Sequence, residues 1–198
     1  MMFNLRVKYL SFFFLLISIL SIFNIFYSYY QNLYLSLNNY YISFITSFIL
    51  AVFFYKINFK ENNKRITIFD KILTVFLGYI LIPVVLSLPL YLSIYNLTFL
   101  NALFESISGF TSTGFTIFEN IKHIDQSLII WRSSTQWIGG LYFLFSIVYL
   151  IDIYDESFKK SLTNFLSFNS AEVIKQAVKV FLIYSFLTFI IFIILNFV

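Results

Sequence analysis

The chain has 198 residues, of which 60% are hydrophobic and only 11% charged, and its mean hydropathy is +0.87. Soluble domains carry about 25% charged residues, so this composition excludes a chain solvated on all sides and describes an integral membrane protein. No cysteine is present, which removes disulfides, thiolate metal sites and thiol nucleophiles. The net charge of +4 lies between apolar spans rather than in a patch interleaved with aromatics, which argues for membrane topology and against nucleic acid.

The first apolar span is Tyr9–Phe26, preceded by Arg6 and Lys8. It lacks a small-residue cleavage site, and Tyr27-Ser28-Tyr29-Tyr30 reads as an aromatic interface, so it is expected to be a retained helix. A second span covers Asn39–Tyr55, followed by the basic loop Lys56–Lys71. The third, Ile72–Tyr95, is broken by Pro83 and Pro89. Next comes Asn101–Phe118, NALFESISGFTSTGFTIF: an amphipathic turn of helix, a Ser/Thr cluster with glycine, and an apolar exit. Beyond the polar stretch Glu119–Gln126 lie a fourth span, Ser127–Ile151, a second polar loop, Asp152–Lys175, and a last span, Ala177–Val198. The expected fold is an all-α membrane protein with about five transmembrane helices plus one re-entrant pore helix and a selectivity-filter loop.

Charge sets the expected orientation. With the N-terminus cytoplasmic, the inside segments 1–8, 56–71 and 152–179 hold every Lys and Arg except Lys122 and Arg132, whereas Tyr27–Asn39 has no charge. The positive-inside rule therefore places the N-terminus in the cytoplasm of a multi-pass inner (plasma) membrane protein. Re-entry of Asn101–Phe118 keeps the last basic loop inside; a full crossing would put it outside.

Selecting a cation in a membrane needs carbonyl oxygens that replace its hydration shell, and irregular backbone at that depth is tolerated only where it lines a wet cavity or is buried in protein. Thr111, Ser112, Thr113 and Gly114 are the candidate ion-path residues, with Gly114 opening conformations closed to other residues. A plain Ser/Thr/Gly loop between two helices is the bland alternative. Glu105, inside an apolar stretch, fits either an attractor for cations or a structural carboxylate bonded to backbone N–H groups or to Arg132; its position before the loop favours the second. Arg132 reads as a snorkelling or loop-bracing residue rather than a gate. Trp131 and Trp137 suit an aromatic belt, and Gly139-Gly140 suits close helix packing more than a hinge. His123, beside Lys122 and Asp125, reads as solvated, and a lone histidine without cysteine offers no metal set. No nucleophile–base pair, phosphate loop or dinucleotide fingerprint is present, so no enzyme and no cofactor are expected.

The segments FESISGFTSTGFT and WRSSTQWIGG together resemble the Trk/Ktr/HKT superfamily of potassium transporters, and most of all the first pore repeat of the bacterial Trk-type subunit. Phe104, Glu105, Ser108 and Gly109 match in the pore helix, and Thr111, Ser112, Thr113, Gly114 and Thr116 in the filter. Arg132, Gln136, Trp137, Gly139 and Gly140 match in the following helix. Where relatives commonly continue with Met-Gly-Ile, this chain has Leu141-Tyr142-Phe143. The resemblance implies three parts: two N-terminal helices with a cytoplasmic loop over 1–71, a helix–pore loop–helix repeat over 72–151, and over 152–198 a loop with the first helix of a truncated second repeat.

The family subunit has four such repeats around one axis, so the resemblance implies further repeats from the same chain, another chain or a homo-oligomer. It also implies a cytosolic nucleotide-binding gating subunit, with loops 56–71 and 152–176 as docking surfaces. The expected function is potassium transport as part of a Trk-type uptake system. The rival is a non-conducting scaffold or regulatory subunit of a full-length transporter, which would tolerate changes in the loop.

Overall fold

The computed structural model describes residues 8–57, 68–120, 124–151 and 173–197. The basic N-terminus around Arg6, most of loop 56–71, Lys122, His123 and loop 152–176 up to Glu172 lie outside the described residues. Seven helices form among the described ones: α1 Lys8–Tyr30, α2 Tyr34–Ile57, α3 Ile68–Leu86, α4 Leu88–Tyr91, α5 Phe99–Phe110, α6 Gln126–Ile151 and α7 Val173–Phe197. Three stretches are long and apolar enough to cross a membrane, Leu10–Tyr30, Tyr34–Lys56 and Lys71–Tyr91, and a shorter apolar run in α7 covers Val178–Ile194. By packing, residues 1–140 and 141–198 form two units, and the candidate site lies entirely in the first.

The α1–α2 hairpin is tighter than its sequence suggests. The uncharged linker expected over Tyr27–Asn39 contracts to Gln31-Asn32-Leu33, because the tyrosines at either side remain helical. Asn32 takes a φ of 58°, a left-handed conformation that Asn tolerates, and the Leu33 N–H closes the turn on the Ser28 carbonyl at 2.8 Å. In a bilayer, lipid is as apolar as leucine, so helices associate through small and polar residues. Accordingly Ser11, Ser18, Ser21, Asn24 and Ser28 of α1, and Ser36, Asn39, Ser43 and Ser47 of α2, are buried, while many large apolar side chains of both helices are exposed. The Ser11 hydroxyl donates to the Ala51 carbonyl at 2.7 Å, Ser21 bonds Ser43 at 3.2 Å, and Phe14 stacks on Phe54.

The third span breaks at Ser87 and not at Pro83. Pro83 is buried within α3, whereas Pro89 opens α4, where a missing N–H costs little. Side chains from two other helices satisfy carbonyls at the break. The Ser106 hydroxyl of α5 donates to the Pro83 carbonyl at 2.8 Å, and the Trp131 indole N–H of α6 donates to the Leu86 carbonyl at 2.9 Å. Trp131 is therefore a fully buried interior bolt rather than a member of an aromatic belt. Trp131→Phe keeps most of the ring packing but strands the Leu86 carbonyl. We expect it to cost about 1–3 kcal/mol, read as a lowered thermal midpoint in detergent; an unchanged midpoint would mean that another donor reaches the carbonyl.

In the second unit, α7 presents Leu182, Ile183, Phe186, Leu187, Phe189 and Phe192 as exposed apolar side chains. Its Thr188 hydroxyl is folded back on the Tyr184 carbonyl at 2.8 Å.

Candidate functional site

Thr98, extended and just before α5, caps the helix with its hydroxyl, which accepts the Asn101 N–H at 3.3 Å. Its buried face carries Ala102, Glu105, Ser106, Ser108, Gly109 and Phe110, a helical recurrence of small and polar groups. Large apolar residues point the other way, with Leu100, Phe104 and Ile107 exposed. The small face exists because α6 approaches closely. A Cβ at Gly109 would collide with the Thr135 hydroxyl, and one at Gly139 would overlap the Phe110 carbonyl. Trp131, Thr135, Ile138 and Gly139 are all buried on α6 at spacings of one and two helical turns. Gly139 thus marks close packing, Gly140 is half-buried, and Gln136 is exposed with no side-chain hydrogen bond among the described residues.

After Phe110 the chain turns back along α5. Thr111 and Ser112 donate their N–H groups to Ile107 and Gly109 carbonyls at 2.8 and 2.9 Å. The Ser108 carbonyl accepts the Thr113 N–H at 3.0 Å, and the Ser108 hydroxyl donates to the Phe115 carbonyl at 2.7 Å. Thr111 and Thr113 are linked through their hydroxyls. φ is 55° at Ser112 and 81° at Gly114. A non-glycine residue in that region costs roughly 1–2 kcal/mol and persists only where its surroundings enforce it. At Ser112 its own N–H bond to the Gly109 carbonyl and the Thr113 N–H bond to the Ser108 carbonyl do so. No hydrogen bond to the carbonyl oxygens of Thr111, Ser112, Thr113 or Gly114 forms among the described residues, and all four residues are exposed.

One carboxylate fastens the return limb. Glu105, with a side chain 0% exposed, accepts from the Arg132 guanidinium on Oε1 through both Nε and a terminal nitrogen. Its Oε2 accepts the Ile117 N–H at 3.0 Å and the Thr116 hydroxyl at 3.2 Å. Both structural partners open to Glu105 in the sequence, backbone N–H and Arg132, are engaged at once. Its charge is matched by that of Arg132. Arg132 also lies over the Phe118 ring at 5.8 Å, and Phe118 packs edge-on against Tyr95. The Tyr95 hydroxyl accepts the Asp125 N–H at 2.8 Å. Burial pushes this hydroxyl above its ordinary pKa; the hydrogen bond from the Asp125 N–H offsets part of the rise, and the Asp125 charge adds a smaller one.

Sequence reasoning therefore named Glu105, Arg132, Gly139 and the loop. It gave Ser106, Thr135, Phe118 and Tyr95 no role. The run Trp131, Thr135, Ile138, Gly139 was a readable signal of the face that meets α5, whereas nothing local marks Tyr95 or Phe118. Among the described residues, no group of three or more His, Asp or Glu could hold a metal ion.

The family profile TrkH, described as a cation transport protein, matches residues 36–198. The chain belongs to the TrkH family. It is similar to the uncharacterized cation transporter MJ1485 of Methanocaldococcus jannaschii, at 29% identity over 97 residues, 49% of this chain and 20% of that one. It is 34% identical over 83 residues to the Trk system potassium uptake protein TrkG of Escherichia coli, 41% of this chain and 17% of TrkG. It is 42% identical over 65 residues to TrkI of Halomonas elongata, 33% of this chain and 13% of TrkI. The matches with these three relatives thus span at most a fifth of their length. No solved structure matches the chain. Membership assigns the clamped loop to a family of cation transport proteins rather than of enzymes.

Proposed function

We propose that the chain supplies one filter loop to a potassium uptake pathway of the Trk type, with Thr111, Ser112, Thr113 and Gly114 offering backbone carbonyls to a dehydrating potassium ion. The observation that carries this reading is the set of four exposed residues whose carbonyls accept no hydrogen bond among the described residues, held by Ser108 on one side and by the Glu105–Arg132 clamp on the other. In an extended strand successive groups point to opposite faces; positive φ at Ser112 and Gly114, with Thr113 between them, breaks that alternation. The loop also follows the C-terminal end of α5, the negative end of the helix dipole, which favours a cation.

On this reading α5 is a re-entrant pore helix between the spans of α3 and α6, in a protein of five spans with a cytoplasmic N-terminus in the plasma membrane. Residues 72–151 form the pore repeat, and 152–198 open a second. One loop cannot surround an ion, so further repeats, from the same chain, another chain or additional copies, complete the path. A cytosolic nucleotide-binding subunit would gate it from loops 56–71 and 152–176. The similarity to potassium uptake proteins TrkG and TrkI supports potassium as the cargo. The scaffold reading has no observation in its favour, since it gives no reason for strained backbone at Ser112.

Growth at limiting potassium tests this in a bacterium stripped of its own uptake systems and complemented with the locus that encodes the chain. Nothing lies within 4 Å of a Cβ added at Gly114, so Gly114→Ala acts only through the φ of 81°. We expect loss of growth at unchanged membrane levels, with Gly114→Asn, which tolerates positive φ, retaining more than Gly114→Val. Equal growth of wild type and Gly114→Ala would sink the filter assignment and leave the scaffold standing.

A further inference from the structure

Among the described residues, the α1–α2 interface contains polar atoms that no protein group satisfies. Asn24 uses its amide N–H on the Leu20 carbonyl at 2.9 Å, but its Oδ1 has no partner. The Ser28 and Tyr40 hydroxyls are equally unpartnered, and all three residues are 0% exposed. Helical register places them together. Ser11 bonds Ala51 and Ser21 bonds Ser43, so the antiparallel pairing puts Asn24 opposite Tyr40 and Ser28 opposite Ser36. The N-terminal end of α6 closes the third side. Ser36 and Ser127 hydroxyls are 3.2 Å apart, and the Tyr40 ring packs on Trp131 with centroids 5.7 Å apart. The Tyr40 hydroxyl lies beside Ser127 without a hydrogen bond of ordinary geometry.

Buried polar groups in native proteins are satisfied by protein or by ordered water, and a polar enclosure with two to four partners is the setting in which water is retained. We propose that α1, α2 and the N-terminal end of α6 enclose an internal hydration site, in which ordered water bridges Asn24 Oδ1, the Ser28 hydroxyl and the Tyr40 hydroxyl. The donors and acceptors balance. Asn24 Oδ1 can only accept, so the water donates to it; the two hydroxyls can each give or receive the bonds that remain. The three lining groups are themselves neutral, and the Asp125 charge reaches the Tyr40 hydroxyl from the start of α6. The water's position also links it to the loop, since Ser127 and Trp131 are one helical turn apart on α6 and Arg132 follows Trp131. The bound water thus ties α1 to the α2 side chain that packs on Trp131, one residue before the arginine of the clamp.

X-ray hydroxyl-radical footprinting of the full chain in lipid nanodiscs tests this directly, because radicals form from water inside the protein as well as outside. Tyrosine and phenylalanine react at comparable intrinsic rates, and Phe13 and Phe14 are also 0% exposed but lie in an apolar part of the hairpin. Tyr40 should be oxidised several-fold faster than either, approaching the rate of exposed Tyr30. Oxidation no faster than at Phe13 would show a dry cluster and overturn the proposal. Labelling of Tyr40 that disappears when sodium or potassium replaces choline would also overturn it, by showing that a cation displaces water as the resident. A second readout is the thermal midpoint of Tyr40→Phe. Removing a water-bonded hydroxyl lowers it, whereas removing an unsatisfied one raises it, and a rise would reject the hydration site.

Discussion

Arg132→Ala should be the most damaging single substitution in the chain, and more damaging than Glu105→Ala. Breaking a buried ion pair by deleting one partner costs on the order of 3–5 kcal/mol, because the survivor is left charged and uncompensated. The survivors here differ. The Glu105 side chain is 0% exposed, whereas that of Arg132 is 15% exposed and has a long stem with which to reach water. Deleting the arginine strands a carboxylate with no route to solvent; deleting the glutamate strands a guanidinium that can move and still rest on the Phe118 ring. Thermal midpoints of the purified variants measure the order of the two losses, and growth at limiting potassium measures the consequence for the loop. The double variant Glu105→Gln, Arg132→Gln should recover stability relative to Arg132→Ala while remaining poor in transport, since a neutral pair holds Ile117 and Thr116 less firmly. A wild-type midpoint for Arg132→Ala would show that the pair does not clamp the return limb.

Gly139→Ala is the second large effect, and its cause is different. The added Cβ would overlap the Phe110 carbonyl and come within 2.7 Å of Phe110 Cα, so the obstacle is backbone, with no flexible side chain to yield. Overpacking of this kind typically costs about 1–3 kcal/mol. Phe110 is the last residue of α5 and precedes Thr111 directly, so a displacement there passes straight into the loop. We expect lost potassium-dependent growth even where the protein still reaches the membrane. The comparison with Gly114 separates sterics from conformation: Asn should be partly tolerated at Gly114 and not at all at Gly139. Tolerance of Ala at Gly139 would mean that α5 and α6 can separate there without disturbing the loop.

The two kinds of damage show why the sequence was informative about the loop and less so about its support. An apolar run long enough to cross a bilayer is a local property, and α1, α2 and α3 follow from it. So does the Gly114 position, because positive φ at a glycine inside a Ser/Thr cluster is a short-range requirement. Helix ends were less legible. Tyr27–Tyr30 and Tyr34–Asn39 look like an interfacial loop by composition but complete helices whose backbone bonds must be satisfied internally in lipid. Of two prolines close together, only Pro89 falls where a new helix can start.

Alone, the sequence determined that this is a helical membrane chain with a Ser/Thr/Gly loop after a short helix, because hydropathy, proline and glycine act over a few residues. Only the tertiary structure decided what holds that loop. Glu105 had two possible structural partners on paper, and α6 brings Arg132 to one oxygen while the returning chain brings Ile117 and Thr116 to the other. Trp131 could have been an interfacial aromatic until packing placed its N–H on the Leu86 carbonyl. The pairing of groups distant in sequence depends on which helix faces meet, and in a chain where most faces are apolar, hydropathy does not rank one face above another.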